Sequence, residues 1–564
     1  MTGWGLEGRR PVLLLIPSVV FILLVALPTE ARRERLALHH TSVDLPGAPA
    51  ALLSHDLDGD GRRDLVVMVA YTEWDQVGIE ESVEMDDIDG LVEVLTIVPA
   101  LTDRRELRIF LATGDGFRAA GDPLPLGPEV LSLALGPGAL GVIALTDTGL
   151  SALRFEPATG RAHFEPIFTE RPVLAGAATF LPRLGLVHPL RRPSAPGPDV
   201  LFPAAEGLAV LLAQDDGLAP AVASRLTLPY DDGGAASNRF YPLPQVRDVD
   251  GDHLPDLVVT HPDHGLAGVQ VLRNLDAGRF DRPIEPLAQS PLGRTDSDGS
   301  DDSDTEDGDE TAVYFGDLDG DGQAEWVTHR SLHAEDAGFR KEMRQAKQPP
   351  ALLRFFRASP TLAPNPEPYH ELEILGYALD GGEDGGNDGA LPGGFQDLDG
   401  DGRRDLVTLT LDFSMMQAVR ILATRRISIG LDFHVWCQRP DGGFEPVHGL
   451  DLSGKFRLDL DDLRLGQLSQ FAGDFDGDGK ADFVQLGRGR RVSIHRGRDG
   501  CRYPADGDLT LELAEAPLDL ALVDVRDLDG DALADLVVIQ PQRIEDSGVT
   551  PPIRLDLYLS GDTP

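Results

Sequence analysis

The chain has 564 residues and a formal net charge of −44, from 94 acidic and 50 basic residues. This negative charge opposes binding to nucleic acid and to anionic lipid surfaces, so neither is an expected partner. The length exceeds one small core, and a hydrophobic content of 41% argues against a disordered acidic chain.

The first predicted element is an export signal over residues 1–31. Two arginines precede an apolar run over 11–27, and Thr29 and Ala31 flank an expected cleavage point after Ala31. The apolar run is also about long enough to span a bilayer, so an uncleaved anchor is the alternative. No later segment is apolar for long enough, so we expect an exported mature chain without a membrane span, in the periplasm, at the cell surface or secreted.

The region 32–564 contains six copies of one acidic decapeptide pattern. Each copy is followed by a short apolar run rich in β-branched residues. Such runs, bounded by Asp and Gly, indicate buried strands. The copies are DLDGDGRRDL at 56, DVDGDHLPDL at 248, DLDGDGQAEW at 317, DLDGDGRRDL at 397, DFDGDGKADF at 474 and DLDGDALADL at 527.

Each repeat unit reads as four antiparallel strands, because a third strand and a glycine turn follow later in the unit. Between the copies at 56 and 248, the segments starting at 141 and 198 show the same skeleton without the acidic loop. Counting both as units gives eight. Seven units remain possible if the segment at 141 only elaborates a neighbour.

Four-stranded units repeated in a ring form a β-propeller, which leaves only short, protected sheet edges. The last unit ends after its third strand, which begins near residue 553, whereas a spare strand at 34–45 precedes the first unit. We therefore predict an all-β propeller with eight blades preferred, in which the N-terminal strand completes the last blade and closes the ring.

The acidic decapeptides predict calcium sites. Acidic side chains at positions 1, 3, 5 and 9 and a carbonyl at position 7 would supply hard oxygen ligands, and Ca²⁺ tolerates irregular oxygen cages better than Mg²⁺ does. The ligand positions hold no Cys or His, which argues against zinc or copper. A plain Asp/Gly turn is the alternative, but repulsion among four carboxylates would then oppose folding.

About six sites are expected, and the sequence leaves occupancy of two of them open. His253 and Ala532 replace the sixth-position glycine, which fits a left-handed turn less well. Glu325 replaces the ninth-position Asp and still ligates but reaches further. The predicted ligands are Asp56, Asp58, Asp60, Arg62 and Asp64; Asp248, Asp250, Asp252, Leu254 and Asp256; Asp317, Asp319, Asp321, Gln323 and Glu325; Asp397, Asp399, Asp401, Arg403 and Asp405; Asp474, Asp476, Asp478, Lys480 and Asp482; and Asp527, Asp529, Asp531, Leu533 and Asp535.

The pattern D-x-D-G-D-G-x-x-D-L, followed by a β run and a glycine turn ending in Phe, resembles the FG-GAP/VCBS repeat. That repeat is the unit of the integrin α-subunit head propeller and of many exported bacterial proteins. The resemblance covers six repeats and most of residues 34–564. It implies a β-propeller and calcium binding, and it does not specify a partner.

Three long connections are expected between the second and third strands of their units, at 71–106, 329–348 and 412–430. Turns alternate faces along an antiparallel sheet, so these inserts should lie opposite the calcium loops. There they form a candidate surface for a protein or glycan, with loop decoration as the alternative. The segment 294–310 is rich in Asp and Ser and is expected to be a disordered linker.

No catalytic motif is present in the sequence, so a monomeric adhesion or interaction module at the cell envelope is the preferred function. A calcium-dependent polysaccharide lyase or hydrolase and a purely structural envelope component are the alternatives. Cys437 and Cys501, the two cysteines of the chain, either form a disulfide or remain half-buried thiols.

Overall fold

The computed structural model places eight antiparallel blades in a closed ring. The residues described are 38–71, 104–176, 181–227, 244–290, 310–332, 348–378, 394–412, 426–448, 452–459, 464–466, 469–486, 490–514, 522–539 and 552–560, with short gaps at 115, 182–183, 193–194, 196, 206, 216, 220, 262–264 and 289. The described residues include no helix that is long and apolar enough to cross a bilayer.

The first strand in the chain, β1 (His39–Leu45), belongs to the last blade. Blade 1 comprises β2 (Ala48–His55), β3 (Asp64–Tyr71), β4 (Arg104–Thr113) and β5 (Gly116–Leu126). Blade 2 comprises β6 (Val130–Leu135), β7 (Val142–Thr146), β8 (Gly149–Glu156) and β9 (Arg161–Thr169). Blade 3 comprises β10 (Val187–His188), β11 (Asp199–Ala204), β12 (Gly207–Leu211), a small hairpin of β13 (Ala213–Gln214) and β14 (Gly217–Leu218), and β15 (Ser224–Leu226).

The next three blades include two of the long connections, in blades 5 and 6, whereas the third lies in blade 1. Blade 4 comprises β16 (Gln245–Arg247), β17 (Asp256–His261) and β18 (Gly265–Leu272), and a single bridge from Val271 to Ile284 holds the fourth position. Blade 5 comprises β19 (Glu310–Gly316), β20 (Glu325–Ser331), β21 (Pro350–Arg357) and β22 (His370–Leu375). Blade 6 comprises β23 (Tyr377–Ala378), β24 (Gly394–Gln396), β25 (Asp405–Asp412), β26 (Arg426–Gln438) and β27 (Phe444–Pro446), extended by β28 (Ser453–Asp459) and β29 (Arg464–Gly466).

The last two blades bring the ends of the described chain together. Blade 7 comprises β30 (Ser469–Phe471), β31 (Phe483–Leu486), β32 (Arg491–His495) and β33 (Leu509–Glu512). Blade 8 comprises β34 (Leu522–Arg526), β35 (Asp535–Ile539), β36 (Ile553–Leu559) and β1. Strand β1 pairs antiparallel with β36 from His39 opposite Leu559 to Leu45 opposite Ile553. The predicted closure by the N-terminal strand and the preferred count of eight blades are confirmed.

Among the described residues, the core consists of eight apolar clusters, each between two consecutive blades. Strand β3 shows why its sequence is a continuous apolar run. Val66 and Met68 pack against blade 2, while Leu65 and Val67 pack against blade 8. Both faces of the strand are therefore buried, because successive side chains point to opposite faces.

The two units without acidic loops form complete blades. The segment from 141 becomes β7, β8 and β9, and the segment from 198 becomes β11 to β15. Both degenerate units are confirmed, which removes the seven-bladed alternative.

Several sequence predictions lie outside the described residues. The signal over 1–31 lies wholly outside. The insert 71–106 is described only at Tyr71, where β3 ends, and from Arg104, where β4 begins. The other inserts and the acidic linker are likewise described only at their edges, which are 329–332 and 348, 412 and 426–430, and residue 310.

Candidate metal centres

Each acidic decapeptide connects the first strand of its blade to the second, so all six emerge on one face of the propeller. Because the ring closes, blades 4, 5, 6, 7, 8 and 1 are consecutive, and their loops form one arc. The loops are named by blade, with positions counted from 1 to 10: loop 1 (56–65), loop 4 (248–257), loop 5 (317–326), loop 6 (397–406), loop 7 (474–483) and loop 8 (527–536).

The position-1 aspartate shapes every loop. In loop 7, Asp474 accepts hydrogen bonds from the backbone N–H of Gly477 and of Gly479, both at 2.7 Å. The same two contacts, to positions 4 and 6, occur in all six loops. A single carboxylate therefore curls the backbone so that the other acidic side chains converge.

The turn requires a left-handed residue at position 6. Gly61 there has φ of 89°, and His253 and Ala532 adopt 66° and 70° at the same position of loops 4 and 8. These two non-glycine residues therefore form the same turn at a modest conformational cost. The doubt that the sequence raised about the backbone of these loops is removed, although their occupancy stays a prediction.

The position-9 carboxylate fastens the loop to its blade. Asp482, fully buried, accepts the N–H of Phe475 at position 2 and of Gly497 after the third strand, both at 2.9 Å. The aspartates of loops 1, 4, 6 and 8 make the equivalent pair of contacts. The acidic loop and the segment at the end of the third strand thus hold one buried carboxylate.

Burial makes the charged form of these carboxylates unfavourable. It raises the pKa of Asp256, Asp405 and Asp482 to about 7, and the pKa of Asp535 to about 6. The neighbouring position-3 aspartate of each loop pushes the pKa in the same direction. A nearby cation would favour the ionised form instead.

Position 3 provides a direct test of whether a metal fits. Oδ1 of Asp250, Asp399 and Asp476 is buried and accepts no hydrogen bond. A buried carboxylate oxygen without a partner costs free energy that a cation can remove. The three oxygens recur at one motif position, and hard oxygen donors are what Ca²⁺ prefers, so the residues fit this ion.

Acidic side chains approach one another closely in the loops. Ligand oxygens within 4.8 Å of each other come from three acids per loop. These groups include Asp56, Asp58 and Asp64; Asp248, Asp250 and Asp252; Asp317, Asp319 and Glu325; and Asp397, Asp399 and Asp405.

At position 7 the structure shows what the backbone N–H contacts, whereas the predicted ligand is the backbone carbonyl. In each loop this N–H donates to Oδ1 of the position-5 aspartate, at 2.8 to 3.0 Å. The donors are Arg62, Leu254, Gln323, Arg403, Lys480 and Leu533. Their carbonyls as metal ligands stay a prediction.

Neighbouring loops are hydrogen-bonded across blade boundaries. The position-8 N–H of Arg404 donates to the carbonyl of Leu318 at 2.8 Å, and that of Ala481 donates to Leu398 at 3.1 Å. Ala324 in loop 5 and Ala534 in loop 8 donate in the same direction, to the preceding loop. Loops 8 and 1 meet through an ion pair from Arg63 to Asp527 at 3.7 Å. The arc is therefore continuous through the point of ring closure.

Cys437 and Cys501 form a disulfide, which resolves the alternative that the sequence left open. The bond joins β26 of blade 6 to the turn after β32 of blade 7, beside loop 6. The adjacent Gly500 donates its N–H to Oδ2 of Asp399 at 2.6 Å. The covalent link therefore fixes a residue of blade 7 against a predicted ligand of blade 6.

Blade 3 contains a charged pair that sequence reasoning missed. Asp199 begins the second strand, is fully buried, and accepts the N–H of Ala213 at 2.8 Å, as a position-9 aspartate does. Nε and Nη2 of Arg191 contact its two oxygens at 2.7 to 3.1 Å. A guanidinium of the chain therefore balances the buried carboxylate here. The available signal was an Asp opening an apolar run, after a loop containing arginines instead of aspartates.

Blade 2 has neither a carboxylate nor a guanidinium at this place. Its loop, GPGALG at 136–141, contains no acid and forms a short 3₁₀ helix at Gly138–Leu140. Val142, the first residue of the second strand, is fully buried and packs against blade 1 as the position-10 residues pack against their preceding blades, and the residue before it is Gly141 rather than a carboxylate.

No protein-family model and no curated protein matches this chain. Among solved structures, the Vibrio cholerae biofilm matrix protein Bap1 is 15% identical over 90% of this chain and 76% of its own, with a TM-score of 0.22. The Dos1 propeller is 8% identical over 76% of this chain and 91% of its own, with a TM-score of 0.26. The extracellular domain of a hybrid two-component system from B. thetaiotaomicron is 10% identical over 80% and 62%, with a TM-score of 0.18.

Proposed function

We propose that the protein is an exported β-propeller whose acidic loops bind Ca²⁺ and whose opposite face binds a protein or glycan at the cell envelope. The observation that supports the metal most directly is the buried, unpartnered Oδ1 of the position-3 aspartate in three loops. Bound Ca²⁺ would supply positive charge to a group of carboxylates that otherwise raise one another's pKa.

The residues of the chain prepare the loops before any ion binds. Positions 1 and 9 are held by backbone N–H groups, so the loop is already curled and fastened to the sheet. The position-3 and position-5 carboxylates then face the same space. A preformed oxygen cage loses little conformational entropy on binding, which favours affinity.

The opposite face is the candidate recognition surface. In blade 6, the C-terminal end of β26 contacts loop 6 through Gln438, whose N–H donates to Asp405 at 2.8 Å. The N-terminal half of the same strand, from Arg426 to Asp432, pairs with β28 and extends the sheet beyond the blade. This extension therefore lies on the side away from the acidic loops. In blades 1 and 5, the long connection between the second and third strands also begins on that side.

Calcium binding is tested with the full-length protein by equilibrium dialysis and by melting in Ca²⁺ or in chelator. We expect tight binding of several ions and a marked fall of the melting temperature on chelation. Absence of Ca²⁺ binding would overturn the proposal for the loops. Mg²⁺ serves as the control ion and should protect less, because it requires stricter octahedral geometry.

The recognition face is tested by photo-crosslinking to a native envelope extract and by a glycan array. A crosslinking residue in place of the exposed Asp432 should capture the partner, whereas one in place of Arg62, on the loop face, should not. A protein adduct indicates a protein ligand, and array binding without an adduct indicates a glycan. Capture only from residue 62 would contradict the assignment of the face.

A further inference from the structure

Loop 5 differs from the other five loops in having one arginine side chain that contacts three of its acidic groups. Arg357 is the last residue of β21, and its side chain reaches the acidic groups of the loop. We propose that the guanidinium of Arg357 occupies the place of the metal, so that loop 5 binds Ca²⁺ far more weakly than the other loops do. This inference rests on the proposed function of the loops.

The guanidinium contacts three of the four predicted acidic ligands. Nη2 of Arg357 lies 2.8 Å from Oδ2 of Asp319, and Nη1 lies 3.4 Å from Oδ2 of Asp321 and 3.2 Å from Oε1 of Glu325. The planar fork of an arginine suits such multiple carboxylate contacts. The ring of Tyr369 lies 5.1 Å from the guanidinium carbon and packs against the same group.

Glu325 is fully buried, and its extra methylene explains how the pair forms. In the other loops, the position-9 aspartate accepts an N–H from a residue at or just beyond the end of the third strand. Here that residue is Ala358, and its N–H donates instead to the carbonyl of Ala324, at 3.1 Å. Oε1 of Glu325 is thereby directed to Arg357, while Oε2 still accepts the N–H of Leu318 at 2.9 Å.

Arginines at the same place in loops 4 and 7 behave differently. Arg273 contacts only Asp250 and Arg496 contacts only Asp476 among the loop acids, each at 3.2 Å through Oδ2. In both loops Oδ1 of that aspartate remains unpartnered, as a ligand awaiting a cation would be. Oδ1 of Asp319 instead accepts the N–H of Asp321 at 3.3 Å. The same contact occurs at Asp58 in loop 1 and at Asp529 in loop 8, at 3.1 and 3.2 Å, so loop 5 is set apart by its guanidinium and not by this oxygen.

The remaining loops have no cation at this place. The equivalent residues are Leu111 in loop 1, Cys437 in loop 6 and Leu559 in loop 8. Blade 3 shows the same replacement as loop 5, because Arg191 pairs with the buried Asp199. Displacing a guanidinium from several charge-assisted contacts costs free energy, so we expect Ca²⁺ to bind loop 5 at least about tenfold more weakly than loop 7.

The experiment counts tight Ca²⁺ sites by equilibrium dialysis of the full-length protein. Arg357→Leu introduces leucine, which loops 1 and 8 have at the equivalent position. This variant should have one more tight site than the wild type. The matched variant Arg496→Leu should leave the number unchanged, since loop 7 binds already. Asp319→Asn should also leave the wild-type number unchanged, whereas Asp476→Asn should remove one site.

The outcomes separate this inference from the proposal on which it rests. If neither the wild type nor any variant binds Ca²⁺, the function proposed for the loops is wrong. If the wild type binds tightly and Asp319→Asn loses one site, or if folded Arg357→Leu gains none, only the inference about loop 5 is wrong. Near-ultraviolet circular dichroism establishes folding, and Asp319→Asn decides the question if Arg357→Leu does not fold.

Discussion

Blades 3 and 7 hold a buried carboxylate at the same place in two different ways. In blade 7, Asp482 faces further carboxylates of its own loop, and in blade 3, Asp199 faces the guanidinium of Arg191. In both, the carboxylate accepts the N–H that follows the third strand. In both blades, the first role of this residue is therefore structural, because its hydrogen bonds hold the loop to the sheet. In blade 3 a side chain of the protein balances its charge, and in the acidic arc the proposed Ca²⁺ would do so.

Removal of calcium should have the largest effect, and it should destabilise the blades of the acidic arc more than blades 2 and 3. Each ion contributes about 2.7 kcal/mol of stability when present at 100 times its Kd, so several sites together dominate the calcium dependence. Chelation should increase hydrogen exchange in β31 and β35 and leave β7 and β11 comparatively protected. Exchange measured by mass spectrometry in calcium and in chelator checks this, and equal loosening of all blades would break the comparison.

Loss of the blade 3 ion pair should destabilise the protein independently of calcium. Arg191→Leu leaves the buried Asp199 without its partner, and breaking a buried pair costs about 3 to 5 kcal/mol. Urea unfolding should show this loss equally in calcium and in chelator. Arg192→Leu is the matched control, because Arg192 is 60% exposed and lies 3.7 Å from Asp276. A calcium-dependent effect of Arg191→Leu would contradict the role assigned to the guanidinium.

Removal of the disulfide should weaken the acidic arc at one point. The variant with both Cys437→Ser and Cys501→Ser loses a cross-link between residues 64 apart, which is typically worth about 2 to 4 kcal/mol. Urea unfolding measures the loss, and dithiothreitol should reproduce it in the wild type and have no effect on the variant. We also expect weaker calcium affinity, since Gly500 no longer holds Asp399. Unchanged affinity would restrict the disulfide to a stabilising role.

The smallest effect is expected from the side chain at position 7 of loop 1. Arg62→Ala removes an exposed ion pair with Asp60 and keeps the backbone carbonyl that is the predicted ligand. The number of tight Ca²⁺ sites and the melting temperature should stay unchanged within error. Asp58→Asn in the same loop is the contrasting variant and should remove one site. A loss of calcium binding by Arg62→Ala would show that the side chain matters.

The repeats made most of the fold predictable. Each unit has its own strands and turns, and six of the eight also have the acidic loop, so the blade pattern can be recognised within each unit. The spare strand at 34–45 indicated how the ring closes. The geometry of positions 1, 4 and 6 is also local, because a carboxylate and two N–H groups within one decapeptide define it.

The partners of position 9 and of the loop arginines could not be read from the sequence in the same way. Arg357 and Glu325 lie 32 residues apart. Arg191 and Asp199 lie only eight residues apart, but their loop lacks the acidic pattern from which the other sites were predicted. Which residue after the third strand faces the loop depends on the register of the blade, and register is fixed by packing between blades.

By itself, the sequence determined a ring of repeated four-stranded units and six acidic turns, because periodic apolar runs and closely spaced aspartates act over a few residues. Only the tertiary structure decided that the six turns form one continuous arc, that two cysteines meet beside it, and that guanidinium groups enter two of the anchoring sites. The arc, the disulfide and the contact of Arg357 with Glu325 depend on residues distant in the chain, which meet only once the blades have packed and the ring has closed. Arg191 and Asp199 lie eight residues apart, and the fold of their loop brings them together.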